Sequence, residues 1–149
     1  MRFSTAAMNA ILDSGLFWEW TRELDFSLYL YTGSAPESAD DSAQGTELAR
    51  LDRSYGSHAA KHIGHVLVLS GQWSGDIANS GTVGWWRIKN KNTDTDTGTT
   101  PHSEFRIDGN AELILPTPTV SAGNNLHIPG ILIKFHEDRM RVSGDGAFS

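Results

Sequence analysis

The stretch "RIDGNAELIL", residues 106–115, decides the fold class. Two runs of strand character flank Asp108-Gly109, a dipeptide that accepts the positive φ angles of a two-residue hairpin loop. It predicts an antiparallel hairpin with its turn at Asp108-Gly109. Working outward, similar runs occur at "LFWEW" (16–20), "LDFSLYLY" (24–31), "TELARL" (46–51) and "HVLVLS" (65–70). Others are "TVGWWRI" (82–88), "EFRI" (104–107), "AELILP" (111–116) and "GILIKF" (130–135). They are rich in β-branched and aromatic residues with partial alternation. Between them, "SGQWSGD" (70–76), "ANSG" (78–81) and "SAGNN" (121–125) supply turn residues, which places Trp73 at a turn.

The sequence has one helical signal, "MRFSTAAMNAILDSG" (1–15). Ser4 or Thr5 can cap its first N–H groups, and Gly15 suits the left-handed position past its end. Met8, Ile11 and Leu12 form an apolar stripe of only two turns, so the helix must dock on its own domain or a neighbour. No helical pattern is present to cross over between parallel strands. The expectation is a single domain over 1–149: an all-β antiparallel sandwich, jelly-roll or immunoglobulin-like, with a short N-terminal helical arm (1–15). The polar segment 89–103 reads as a long exposed loop and 136–149 as a C-terminal tail.

Composition narrows the function. The 149 residues include 15 glycines and no cysteine, and the formal net charge is −6. Disulfides, thiolate metal sites and a cysteine nucleophile are excluded. An acidic chain without clustered Lys and Arg argues against a nucleic-acid partner. No run approaches the roughly 18 apolar residues of a membrane span, and the opening residues lack a secretory apolar core. A soluble protein made in the cytoplasm is the default reading.

No constellation of chemistry-bearing residues survives scrutiny. His58, His62 and His65 have helical spacing that zinc could use, but Gly56 and Gly64 bracket them and no HExxH glutamate accompanies them. They read as loop and strand-edge residues. Asn92, Asp94 and Asp96 resemble half a calcium loop, yet Thr97 stands where glycine is needed and Ser103 where the bidentate glutamate is needed. That segment reads as a solvated loop with local Asp and Asn turns. No serine sits in a GxSxG elbow, and no glycine-rich phosphate loop occurs. No catalytic, cofactor-binding or metal-ligating residue is nominated. The hook "LYLYTGSAPESADD" (28–41) carries Glu37, Asp40 and Asp41, with Gly33 and Pro36 ending its strand. "SADDSAQG" (38–45) reads as the connector to the next strand. Trp18 and Trp20 share a strand face, whereas Trp85 and Trp86 point to opposite faces. An outward tryptophan would stack on a sugar or anchor an interface, unless a second layer covers it.

Taken in order, "STAAMNAILD" (4–13), "LYLYTGSAPESAD" (28–40), "GTELARL" (45–51), "GTVGWWRI" (81–88), "AELILPTPTVSAGNNLHI" (111–128) and "PGILIKF" (129–135) cover most of the chain. Together they resemble a family of small β-rich virion structural proteins of tailed bacteriophages. The opening Ser-Thr-Ala run and the Tyr-x-Gly-x-x-Pro hook carry most of the likeness. "FWEWTRELDF" (17–26) departs from it in being longer and more aromatic, and the tail 136–149 extends past the usual end. The resemblance implies a capsid decoration (cement) protein, or less specifically a tail or head–tail connector component. It implies no enzyme activity. The partner would be the major capsid protein, the location the capsid surface after synthesis in the host cytoplasm, and the assembly a dimer or trimer giving multivalent attachment. Terminal position and exposure nominate Arg2, Phe3, Met8 and Ile11 in a separable arm, and Trp18, Trp20 and Trp86 as anchors. Arg139, Met140 and Arg141 form a second arm. The competing class is a tail-borne carbohydrate- or receptor-binding module using Trp85 or Trp86.

Overall fold

Period-two alternation in the two best strands, "FSLYLY" and "WWRIKN", organises the molecule around a sheet with two chemically different faces. The computed structural model describes residues 2–8, 26–53, 60–63, 66–97, 105–110 and 118–134, with backbone alone for 60–63, 66–71 and 130–134. The strands are β1 (Arg2–Phe3), β2 (Phe26–Tyr31), β3 (Glu47–Arg53), β4 (Ala60–Ile63) and β5 (Val66–Asp76). They continue with β6 (Gly81–Thr82), β7 (Trp85–Asn90), β8 (Arg106–Gly109), β9 (Thr119–Val120) and β10 (Asn125–Lys134). The main sheet runs β1-β8-β7-β2-β3-β5-β10, with β4 on β5, while β6 and β9 form a small second sheet. Every pairing is antiparallel. The fold is all-β and fits the expected sandwich.

Register assigns the faces. Leu28 opposes Leu51 and Ile88, and Leu30 opposes Ala49 and Trp86. With Trp73, Ile107, Ile128 and Val120 of the small sheet, these side chains make one apolar core. Each large side chain buried there contributes about 1.5–3 kcal/mol. On the opposite face lie Tyr29 and Tyr31 of β2, Trp85, Arg87 and Lys89 of β7, and Arg106 and Asp108 of β8. That face is also closed: all six residues of β2 are buried.

Several expectations change. Asp108-Gly109 is not a hairpin turn; both residues lie inside β8, opposite Arg87 and Trp86. Gly109 is required there because the Trp86 indole lies against its Cα, and a Cβ would collide with Cζ2 and Cε2 of that ring. The run 111–116 falls outside the described residues. "SGQWSGD" is the second half of β5 rather than a turn, and Trp73 within it is fully buried. A flat approach explains the glycine: a Cβ on Gly75 would strike the Arg50 carbonyl. "TVGWWRI" divides into β6 and β7 where Val83 and Gly84 donate to Pro118 O and Tyr31 O, at 2.8 and 2.9 Å. The turn at "SAGNN" stands, with Gly123 at φ +87°.

The opening segment is more firmly held than a separable arm. Arg2 and Phe3 pair with β8, and only Thr5–Met8 is a described helical turn. Ser4 caps it: its Oγ accepts from Ala7 N–H at 3.1 Å and also from Arg106 N–H at 2.8 Å. Ser4 and Ala7 are fully buried, so residues 2–8 are part of the fold. His62 lies in β4, where helical spacing does not apply; His58, His65, the "LFWEW" run and the tail 136–149 lie outside the described residues.

The packing predicts that Gly109→Ala lowers stability by about 1–3 kcal/mol, the usual cost of overpacking. A urea denaturation midpoint identical to the parent's would contradict the Trp86–Gly109 contact.

Candidate functional site

The second face holds a buried layer of charge. Alternation along β7 puts Arg87 and Lys89 on it, and antiparallel pairing with β8 sets Asp108 opposite Arg87 and Arg106 opposite Lys89. The chain then folds back after β7. Asn90 Oδ1 accepts from Asn92 N–H and Thr93 N–H at 2.9 and 3.2 Å, and Asp94 N–H donates to Asn90 O at 3.1 Å. These bonds form an Asx-type turn. Asp96, at φ +60°, donates its N–H to Asp94 Oδ1 at 2.8 Å. Both carboxylates are thereby returned over the sheet.

There they meet the cations. Arg87 grips Asp108 in a fork, Nε to Oδ1 and Nη2 to Oδ2, both at 2.7 Å. Its Nη1 donates to Asp96 Oδ1 at 2.5 Å. Lys89 Nζ and Tyr31 Oη donate to Asp96 Oδ2 at 3.0 and 3.3 Å. Arg106 makes a second fork, to Asp94, at 2.6 and 2.7 Å. Three cations thus face three carboxylates, and both guanidinium side chains are 0% exposed. Burial alone would push an Asp96 carboxyl up, but Arg87, Lys89 and Arg106 outweigh it and hold the group below the usual carboxylate range. Burial pushes Asp108 up against the opposing Arg87 fork. Burial would likewise lower Arg87, yet Asp108 and Asp96 raise it above its ordinary value.

Aromatic rings extend the layer. Tyr31 stacks on Trp85 with centroids 4.4 Å apart, Arg87 lies 5.4 Å from the Trp85 ring centre, and Lys89 Nζ lies 4.6 Å from that of Tyr29. Burial, with Glu47 and Asp52 adding to it and Arg50 opposing, pushes Tyr29 up to about 12. Burial and the adjacent Asp96 raise Tyr31 as well.

The hook is the cover. Arg106 Nη1 donates to Asp40 O and Asp41 O at 3.0 and 3.1 Å, and Arg87 Nη2 to Ala39 O at 3.4 Å. Asp96 Oδ1 accepts from Ala43 N–H at 3.1 Å, and Trp85 Nε1 donates to Gln44 O at 3.0 Å. Ala35 and Ala43 pack on the Tyr29, Tyr31 and Trp85 cluster. The hook in turn holds the opening segment: Asp40 accepts from Thr5 N–H and Oγ1 at 3.0 and 2.6 Å, and Arg2 Nη1 donates to Pro36 O at 2.6 Å. So Asp40 is engaged by a residue of its own chain.

Chemically, this layer is a lock. Each of its six charged side chains is engaged by another, Asp94 by Arg106 and Asp96 by Arg87 and Lys89. The solvated-loop reading is corrected at Asp94, 5% exposed, at half-buried Asp96, and at Lys89 and Asn90, which belong to β7. Asn92, Thr93, Thr95 and Thr97 are exposed, and the local Asn and Asp turns stand. No group of three metal-ligating side chains occurs among the described residues. Of the residues nominated from sequence, Arg2 and Phe3 lie in β1 and Met8 is exposed in the helical turn. Trp86 is not an outward anchor: it is 3% exposed, in the apolar core, and Trp85 is fully buried on the other face. Ile11, Trp18, Trp20, Arg139, Met140 and Arg141 fall outside the described residues. Arg87, Lys89, Arg106, Asp94, Asp96 and Asp108 were not singled out as a group; their signal is the placing of charge at alternate strand positions. No family model, characterised protein or solved structure matches the chain.

Arg87→Met, which leaves two buried carboxylates without their main partner, is expected to cost about 3–5 kcal/mol in urea unfolding. Arg50→Ala, at a pair whose side chains are 51% and 38% exposed, is expected to cost less than about 1 kcal/mol. Equal losses would contradict the difference in burial. The folded pKa of Asp96 lies below its unfolded value, so its contribution is present above about pH 4 and is lost as pH falls through the folded value. Tyr29 has the opposite sign. Its contribution is complete below about pH 10 and is lost as pH rises toward about 12. Ultraviolet titration should show its tyrosinate forming near pH 12; ionisation near 10 would contradict its burial.

Proposed function

We propose that this chain is a non-enzymatic structural protein of a bacteriophage virion, a decoration (cement) protein that binds the outside of the head shell. The observation that carries this reading is the role of the hook. The segment with the most telling resemblance, 28–40, closes over a charge layer whose members all hold one another. A site so consumed by internal contacts suits a stiff framework better than a reaction centre. Such a framework can hold neighbouring shell subunits against outward pressure.

The surface proposed for shell contact is the edge where β1, the helical turn and the hook adjoin. Arg2, Glu37 and Met8 are exposed there, Met8 at 44%. A hydrophobic anchor ringed by charge is a usual contact composition. The proposed partner is the major capsid protein, and the proposed assembly is a dimer or trimer, in which individually weak contacts add by multivalency. The alternative of a tail-borne sugar-binding module loses its platform, since the Trp85 and Trp86 rings are both buried.

Stoichiometry in purified particles tests the proposal. A decoration protein is expected at a copy number near that of the major capsid protein, removable from intact heads without loss of the shell. A handful of copies per particle, or localisation to the tail by electron cryo-microscopy, would contradict it.

A further inference from the structure

We infer that the cage of Arg87, Lys89 and Arg106 is a receptor for an Asp-x-Asp segment, occupied in this chain by its own Asp94 and Asp96 and able to take the same segment of a second copy in their place. The inference is independent of the virion reading. It rests on how receptor and ligand are divided between the elements.

The three cations belong to the sheet. Arg87 and Lys89 are on β7 and Arg106 is on β8, in register across the strand pair. Asp108, also on β8, fixes the Arg87 fork at 2.7 Å independently of the loop. The Arg87 donors are therefore set by the strand pair, while Arg106 Nη1 is held by the hook carbonyls of Asp40 and Asp41. Asp94 and Asp96, in contrast, come from a turn-and-coil segment. They fill two distinct subsites: a fork from Arg106 for the first carboxylate, and Arg87 with Lys89 for the second. The hook adds Ala43 N–H to the second subsite.

Such an arrangement recognises chemistry and spacing. The buried Arg106 fork selects one planar carboxylate bidentately. Arg87 Nη1 and Lys89 Nζ each take one oxygen of the other, and the two subsites fit carboxylates two residues apart. A second copy offers the same Asn-Thr-Asp-Thr-Asp stretch, residues 92–96. Reciprocal exchange of this segment would link two chains through bonds identical to those made within one, which is the low-cost route to a dimer.

The test uses the full chain carrying Asp94→Ala and Asp96→Ala, with a synthetic peptide of residues 91–97 and a control peptide bearing Asn at both Asp positions. The acidic peptide is expected to bind at least about tenfold more tightly than the control, as expected for charge-assisted bidentate bonds. It should raise the unfolding temperature in proportion to its occupancy, and adding Arg106→Met should abolish both effects. Equal binding of the two peptides by the folded variant would overturn the inference. If the variant does not fold alone, refolding in the presence of each peptide becomes the reading. Recovery of β-sheet circular dichroism with the acidic peptide only is the expected result, and equal or absent recovery would overturn the inference.

Discussion

A guanidinium with no exposure to water must be matched where it lies. Arg87 is such a group, and a chain of contacts across the charged face follows from satisfying it. Its fork fixes Asp108 and hence the register of β8; its third arm fixes Asp96 and hence the return of the loop. Asp96 then draws in Lys89 and the Ala43 amide, and with it the hook. The hook carries Asp40 to Thr5 and completes the chain of dependence at the opening segment. Removing the first link would leave charges buried that the remaining groups could not neutralise.

The two faces of the sheet divide the work. The apolar face, with Leu28, Leu30, Leu51, Ile88 and Ile107 fully buried, supplies the driving force for collapse. The charged face contributes little net stability, because desolvation offsets most of the attraction between its ions. Its effect is on specificity. Slipping β8 by one residue against β7 would turn Asp108 into the apolar core and Ile107 into the charge layer. Only one register satisfies both faces. A framework with a single acceptable register is also a stiff one, which is the property a shell-binding protein would need.

The strands were legible because the sheet is two-faced: "LYLY", "TELARL" and "WWRI" announce themselves by alternation and lie in β2, β3 and β7. What alternation cannot report is coverage. Arg87 and Lys89 sit at positions a half-exposed strand would give to solvent, and the hook that covers them is far away in sequence. For the same reason "NTDTDTG" read as a solvated loop although Asp94 and Asp96 are the counterions of the layer. Asp108-Gly109 misled for a local reason: the pair that best fits a tight turn also fits a strand where one side chain must be a carboxylate and the next must be absent. Trp73, between glycines, was hidden in the same way by the close approach of β3 to Gly75.

The central claim is that the hook is held down by the charge layer, and the Ala43 amide reports on it directly because its hydrogen bond goes to Asp96 Oδ1. Native-state hydrogen exchange of that amide, in the parent and in Asp96→Ala, which removes the acceptor, is the most direct measurement. In the parent, Ala43 should be protected well above an open loop. In the variant it should exchange much faster, while amides of β2 and β3 keep their protection. An Ala43 amide that exchanges at the unprotected rate in the parent, or is unaffected by the substitution, would contradict the claim.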